Sequence, residues 1–140
     1  MNDLISFQKA VGFLKEEEVK KIKDCILENK IRIFRKETGM IMNTVSDPFG
    51  NPFHLGEILV CEAEVEYQNL TGYGIAVGNN EDHAVILASL ETLMDAGNSE
   101  AVKEIKHLFK DAFHRYEESV KNEESFAMGT KVNFGLMTEG

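Results

Sequence analysis

The sequence predicts an α+β fold: a mostly antiparallel sheet of about five strands, flanked by an N-terminal and a C-terminal pair of helices. Three observations support this prediction. Apolar residues recur with a helical period at both ends of the chain and with the two-residue period of strands in between. Separate runs of helices and strands are typical of the α+β class. The 140 residues suit a single domain, 1–140.

Two helices are predicted to precede the sheet. Residues 3–14 form the first, with an apolar stripe of Leu4, Phe7, Val11 and Leu14. Residues 16–29 form the second, because three glutamates open this segment and lysines follow them, as the helix dipole favours.

The predicted strands lie at residues 31–36, 40–45, 58–67, 71–77 and 130–137. A turn near Gly39 would join the first two as a hairpin. In strand 58–67, glutamates alternate with apolar residues, so one face is expected in the core and the other in water. In strand 71–77, Gly72 and Gly74 leave one face almost bare, which predicts close packing there by a helix or a partner.

The C-terminal pair of helices is bounded by capping residues. Asn79 and Asn80 can cap the helix that carries His83 on its apolar stripe and that Gly97 ends. Ser99 is predicted to cap a long helix over residues 100–121.

Charge and cysteine content limit the function. The formal net charge of −9 disfavours nucleic acid as a partner, and also a polyphosphate nucleotide held by this chain alone. Cys25 and Cys61 form no CxxC motif, as expected for a reduced cytosolic protein, and they are too few to hold an iron–sulfur cluster. The sequence shows no signal peptide and no apolar run of roughly 18 residues, so we expect a cytoplasmic protein without a membrane span.

Two clusters on the predicted helices could carry chemistry. His107, Asp111 and His114 would share one face of the last helix and could hold a metal ion, but neighbouring lysines favour a solvated face without metal. His83 follows a glycine turn at a helix start, where anions bind, but its position on the apolar stripe favours a hydrogen-bonded core histidine.

The loop at residues 46–53, which holds both prolines, contributes to a third cluster. Asp47, His54 and Glu57 could act as acids or bases. Phe49 and Phe53 favour the alternative of an interface loop with apolar anchors. None of the clusters is a complete catalytic constellation, so no catalytic residue and no metal site is predicted.

Several short motifs stand in a fixed order along the chain. They are Glu37-Thr38-Gly39-Met40-Ile41, Pro52-Phe53-His54-Leu55-Gly56-Glu57, Gly72-Tyr73-Gly74-Ile75-Ala76-Val77-Gly78 with His83-Ala84, and Lys131-Val132-Asn133-Phe134. This ordered set resembles the PhnG family, whose members are subunits of the bacterial carbon–phosphorus lyase core complex. The resemblance extends from about residue 37 to the C-terminus.

The resemblance implies an accessory role in phosphonate catabolism. With the I subunit, to which the chemistry is attributed, family members help attach methylphosphonate to the ribose of ATP with release of adenine. The product is α-D-ribose 1-methylphosphonate 5-triphosphate, and the J subunit, a radical iron–sulfur enzyme, later breaks the carbon–phosphorus bond. A non-catalytic subunit of a transferase complex is implied, with the H, I and J subunits as partners. The complex would use ATP and Mg, and this chain would bind no cofactor alone.

The motifs also define candidate contact residues for a partner or ligand. These are Glu37, Thr38, Gly39, Phe49, Phe53, His54, Gly56, Glu57, Gly72, Tyr73, Gly78, His83 and Lys131. Exposed apolar area is expected around residues 46–57 and on the Gly72/Gly74 face, and the isolated chain could form a homo-oligomer to cover it.

The sequence departs from the family pattern in its charges. Glu62 and Asn79 stand where the family has arginines, so partners would have to compensate for the lost positive charge. The alternative function is a stand-alone small-molecule or nucleotide-binding module, with its ligand between Gly78 and His83.

Overall fold

The structure, a computed structural model, describes residues 2–46, 48–50 and 52–122. Its elements are α1 (Asn2–Ala10), a 3₁₀ turn (Val11–Phe13), α2 (Glu16–Glu28), β1 (Arg32–Ser46), β2 (Pro52–Tyr67), β3 (Leu70–Val77), α3 (Glu81–Asp95), α4 (Ser99–Leu108) and α5 (residues 110–122). The predicted α+β class is confirmed. No described helix is long and apolar enough to cross a membrane.

The sheet of the described residues has three antiparallel strands in the order β1-β2-β3, so the prediction of five strands was wrong. The hairpin predicted to turn at Gly39 is one continuous strand, because Gly39 pairs with Val60 in the middle of the ladder. The chain turns instead between Ser46 and Pro52, within the predicted loop. The strand predicted at 130–137 lies outside the described residues.

Helix α3 covers one face of the sheet, and two glycines let it approach. A Cβ added to Gly74 would lie 2.3 Å from the carbonyl oxygen of Ala84, and one added to Gly72 would lie 2.3 Å from that of Ala88. The predicted close packing at this face is therefore confirmed, with α3 as the packing element. The expectation that the same face is exposed was wrong, because the helix occupies it.

The core lies on both sides of α3. Residues 84–90 of this helix are all buried, as expected for a helix that has the sheet on one side and other helices on the other. Phe7 of α1 stacks edge-on against Phe109 at 4.8 Å between ring centroids and also contacts Phe113. These rings join α1 to the end of α4 and to α5.

The helix caps differ in part from the prediction. The side chain of Asn80 accepts the Asp82 amide at 3.0 Å and caps α3, as predicted. The cap of α4 is Asn98, whose side chain accepts the Ala101 amide at 3.2 Å, and Ser99 is already the first helical residue. The helix predicted over 100–121 is divided at Phe109, the C-cap of α4.

Candidate functional site

The distal halves of β1 and β2 form an arm that extends past the three-stranded part of the sheet. Strand β3 pairs with β2 only from Val60 to Tyr67. From Pro52 to Leu59, β2 has β1 as its single neighbouring strand among the described residues. We call residues 40–59 the hairpin arm.

A bulge shapes the arm near its middle. Asn43 pairs with Gly56 and Thr44 pairs with His54, so Leu55 has no opposite residue in β1. Gly56 has a φ of +139°, a conformation that favours glycine. Bulges bend a strand and increase its twist, and they hinder edge-to-edge aggregation. The predicted contact residue Gly56 therefore has a conformational role in the arm.

The arm exposes large apolar side chains to solvent. Their exposed fractions are 67% for Met40, 47% for Ile41, 88% for Phe49 and 37% for Ile58. Ile41 and Ile58 lie directly opposite each other across the ladder. A two-stranded ribbon is marginally stable by itself and has no second layer to cover such residues. Contiguous exposed apolar area is typical of interaction sites.

An apolar groove lies at the base of the arm, where the sheet meets the end of α1 and the 3₁₀ turn. It has a volume of about 410 Å³, and its lining includes Val11, Ile41, Ile58, Val60, Ile75 and Val77. This volume is in the range of pockets that receive a small ligand or a protruding side chain. Ile41 and Ile58 belong both to the groove and to the exposed apolar residues of the arm.

Side-chain contacts hold the base of the arm to α3. The Thr38 hydroxyl donates to the Glu81 carboxylate at 3.2 Å and lies 3.3 Å from Cys61 Sγ. The Cys61 thiol donates to the Gly78 carbonyl oxygen at 3.2 Å. The Gly78 amide donates to the Leu59 carbonyl oxygen at 2.8 Å. The predicted contact residues Thr38 and Gly78 therefore position the arm.

The face of the sheet opposite α3 carries paired charges. Arg35 forms ion pairs with Glu37, Glu62 and Glu64, the last at 3.2 Å. The Tyr73 hydroxyl donates to Glu62 at 2.9 Å, and this hydrogen bond raises the pKa of Tyr73. Glu37 and Tyr73 thus belong to a charge network across the strands. The predicted acidic face is confirmed, and arginines from β1 partly neutralise it.

The first turn of α3 gives little support to an anion site. Asn80 accepts the amides of Asp82 and His83, with its side chain and its carbonyl oxygen respectively. The Asp82 carboxylate already pairs with Lys23 at 3.3 Å. Burial lowers the pKa of His83, against the opposing influence of Asp82, so the imidazole is neutral at neutral pH. The turn therefore presents carboxylates and a neutral ring, which do not attract phosphate.

The described residues do not assemble a metal or nucleophilic site. No group of three or more His, Cys, Asp and Glu side chains among them could hold a metal ion, including the face with His107 and Asp111. His114 instead pairs with Glu118 at 3.3 Å. Burial, together with nearby Glu104, raises the pKa of the Cys25 thiol to about 11, which leaves it protonated and unreactive.

The remaining predicted residues lie along the arm or outside the description. Glu57 is exposed on β2 and pairs with Met42 in the ladder. Phe53 and His54 occupy ladder positions, but their side chains lie outside the described residues. Asp47 and Lys131 lie outside them altogether. The proposed acid–base cluster therefore stays a prediction.

Sequence reasoning missed the apolar residues at the base of the arm. Met40, Ile41 and Ile58 were assigned to ordinary strands, and Val77, which is 77% exposed, to a paired strand. A signal was present in the consecutive apolar residues 40–42, because a strand with one solvated face should alternate. A strand that is apolar on both faces needs a covering element on each side.

These features define a small α+β protein with a β-hairpin arm that exposes large apolar side chains. The chain belongs to the PhnG family, since the model of that family, described as phosphonate metabolism protein PhnG, matches residues 8–140. The family assignment made from the motifs is confirmed, and with it a role in phosphonate metabolism. A search of curated proteins found no match to the chain.

Proposed function

We propose that this protein is an accessory subunit of the carbon–phosphorus lyase core complex, acting in the cytoplasm with the I, H and J subunits. It would support the transfer of methylphosphonate to the ribose of ATP without contributing catalytic residues. The observation that carries the proposal is the hairpin arm, which exposes four large apolar side chains outside the three-stranded sheet: Met40, Ile41, Phe49 and Ile58. Family membership supplies the context of phosphonate metabolism.

The energetics favour a protein partner for the arm. Burying one large aliphatic side chain contributes about 1.5–3 kcal/mol. Ile41 and Ile58 lie side by side at a groove of about 410 Å³, which could receive an anchor residue of the partner. Interfaces typically concentrate their binding energy in such a pocket and the residues around it. In the absence of partners, the same surface could pair two copies of the chain.

The charges favour a supporting role over nucleotide binding by this chain. The net charge of −9 opposes a triphosphate, and the first turn of α3 carries Glu81 and Asp82. ATP and Mg would therefore be bound by the complex, with the chemistry on the I subunit. The arm would fix the position of this subunit within the assembly.

Coexpression with the I subunit from the same genome tests the proposal. The measurement is the mass of the co-purifying species by light scattering after gel filtration. We expect a defined complex that contains both chains. Two separately eluting species would contradict the proposed role, and calorimetry with ATP and Mg on the isolated chain would then test the nucleotide-binding alternative.

A double variant locates the interface. Replacing Ile41→Arg and Ile58→Arg puts two charges on the apolar surface, and we expect the complex to be lost. The two charges lie opposite each other and lower the melting temperature somewhat, so circular dichroism must show that the isolated variant is still folded. The matched control is Ile5→Arg/Leu27→Arg, at side chains that are 52% and 70% exposed on α1 and α2. If the double variant assembles as well as the control, the arm is not the interface.

A further inference from the structure

The helices carry a second surface that is separate from the arm. Lys103, Lys106 and Lys110 are exposed on α4 and α5, together with His107 and His114. Their spacing of three and four residues places them along one side of the helices. Helix α4 packs against α2 and α3, so this side lies on the helical layer and not on the sheet.

These residues line an open groove that continues toward α1. One part has a volume of about 720 Å³ and is lined by the three lysines, the two histidines and Phe113. The adjoining part has a volume of about 360 Å³ and adds Lys9 and Tyr116. Both parts share Lys106 and Phe113. We call the combined surface the basic groove.

The basic groove has an excess of positive charge in an acidic protein. Four lysines line it against two carboxylates, Asp111 and Glu117, whereas the whole chain has a net charge of −9. Within the described part of the chain, Lys103, Lys106 and Lys110 form no ion pair, unlike Lys23 and Arg115. None of the described carboxylates neutralises these three charges.

The lysines of the basic groove repel one another, which destabilises the helical segment that carries them. Lys103 and Lys106 stand three residues apart on α4, where side chains are neighbours, so their like charges repel each other. Phe113 and Tyr116 are only partly buried in the same groove, so apolar area accompanies the charge. Positive charge beside partly exposed aromatic rings is complementary to a segment that combines acidic and apolar side chains.

We propose that the basic groove docks an acidic segment of a partner protein that also carries apolar residues. This interaction is independent of the apolar arm and gives the chain a second binding surface. The negative charge of the rest of the protein would repel such a segment elsewhere and direct it to the groove. Nucleic acid fits less well, because it carries a charge on every nucleotide, which the surrounding acidic surface repels, and has no apolar side chains for the groove.

A fluorescent peptide of alternating glutamate and leucine residues serves as the probe, and fluorescence anisotropy measures its binding. We expect the wild-type protein to bind it at low salt, with an affinity that falls as salt increases. In the variant Lys106→Glu/Lys110→Glu, we expect a loss of roughly tenfold or more. The control Lys20→Glu/Lys21→Glu alters two exposed lysines of α2 and changes the net charge equally, by −4. We expect it to bind nearly as well as wild type.

Three outcomes would overturn the proposal. The first is no binding by the wild-type protein at low salt, and the second is an equal loss in both lysine variants, which would assign binding to net charge. The third is tighter binding of a single-stranded DNA oligonucleotide than of the peptide. Circular dichroism confirms that each variant is folded. The variant Ile41→Arg/Ile58→Arg should still bind the peptide, which separates this surface from the arm.

Discussion

The glycines of the sheet differ between its base and its arm. At the base, a Cβ on Gly72 or Gly74 would collide with the backbone of α3, at 2.3 Å in each case. On the arm side, a Cβ on Gly39 or Gly56 would meet nothing within 4 Å. The same residue type thus permits close packing in one region and lies in open space in the other. A helix of this chain covers the base at its glycines, whereas no described element covers Gly39 or Gly56.

The two regions also differ in what stabilises them. At the base, β2 pairs on both sides and α3 covers one face. In the described part of the arm, β2 pairs with β1 alone, and the exposed apolar residues are Met40, Ile41, Phe49 and Ile58. Because local stability follows burial and hydrogen bonding, the arm should open far more readily than the base.

Amide hydrogen exchange should show the largest difference between the regions. In the isolated chain, we expect the amides of Ala63 and Val65 to exchange orders of magnitude more slowly than those of Met40 and Ile58, because the former require global unfolding. In the complex with the I subunit, the arm amides should become protected. Mass spectrometry after proteolysis measures exchange in both regions. Equal protection of base and arm in the isolated chain would contradict the difference in local stability proposed here.

Adding a side chain at the close contact between Gly74 and α3 should have the next largest effect. We expect Gly74→Ala to lower the free energy of unfolding by about 1–3 kcal/mol or more, because α3 must move away from β3. Urea unfolding measures the change. A Gly74→Ala protein that is as stable as wild type would show that the helix approaches less closely than the structure indicates.

His83, in the first turn of α3, should make the free energy of unfolding depend on pH. Burial lowers the pKa of His83 in the folded state, whereas the unfolded chain takes up this proton near pH 6.5. Stability is therefore full above the unfolded-state pKa and falls as pH falls toward the lowered folded-state pKa. Urea midpoints measured between about pH 7.5 and pH 5 should fall less in His83→Gln than in wild type. Parallel curves would exclude His83 as the cause.

The smallest effect is expected at Gly39, the residue of β1 that precedes the arm. Gly39 has ordinary strand geometry and open space around it, so Gly39→Ala should raise the free energy of unfolding by up to about 1 kcal/mol through reduced freedom of the unfolded chain. The variant is the matched control for Gly74→Ala in the same urea experiment. Destabilisation comparable to that of Gly74→Ala would mean that β1 is more closely packed at this position than the structure shows.

The sequence predicted the elements that depend on local pattern. The boundaries of α2 and the cap of α3 followed from charge and capping residues, and the close packing at Gly72 and Gly74 followed from the bare strand face. The turn at Gly39 was wrong, because a glycine in a strand looks the same in sequence whether the chain turns there or continues. What decided between them was the long partner strand β2, which pairs on both sides of Gly39.

The candidate site was predictable only in part, because it too depends on contacts between segments that are distant in the sequence. The motifs identified the family and pointed to Thr38, Gly56 and Gly78, which prove to shape and hold the arm. The apolar residues Ile41 and Ile58 were missed, because their exposure depends on where β3 ends. Strand β3 ends where Gly78, with a φ of +112°, directs the chain away from the sheet and toward α3.

The sequence by itself determined the fold class, the family and the acidic character of this protein, because periodicity, motif order and charge are local or additive properties. Only the tertiary structure decided which apolar residues are left uncovered. Burial depends on the meeting of segments distant in the chain, as when α3 covers Gly74 but leaves Ile41 open. The same holds for the basic groove, where Lys9 of α1 joins Lys106 of α4.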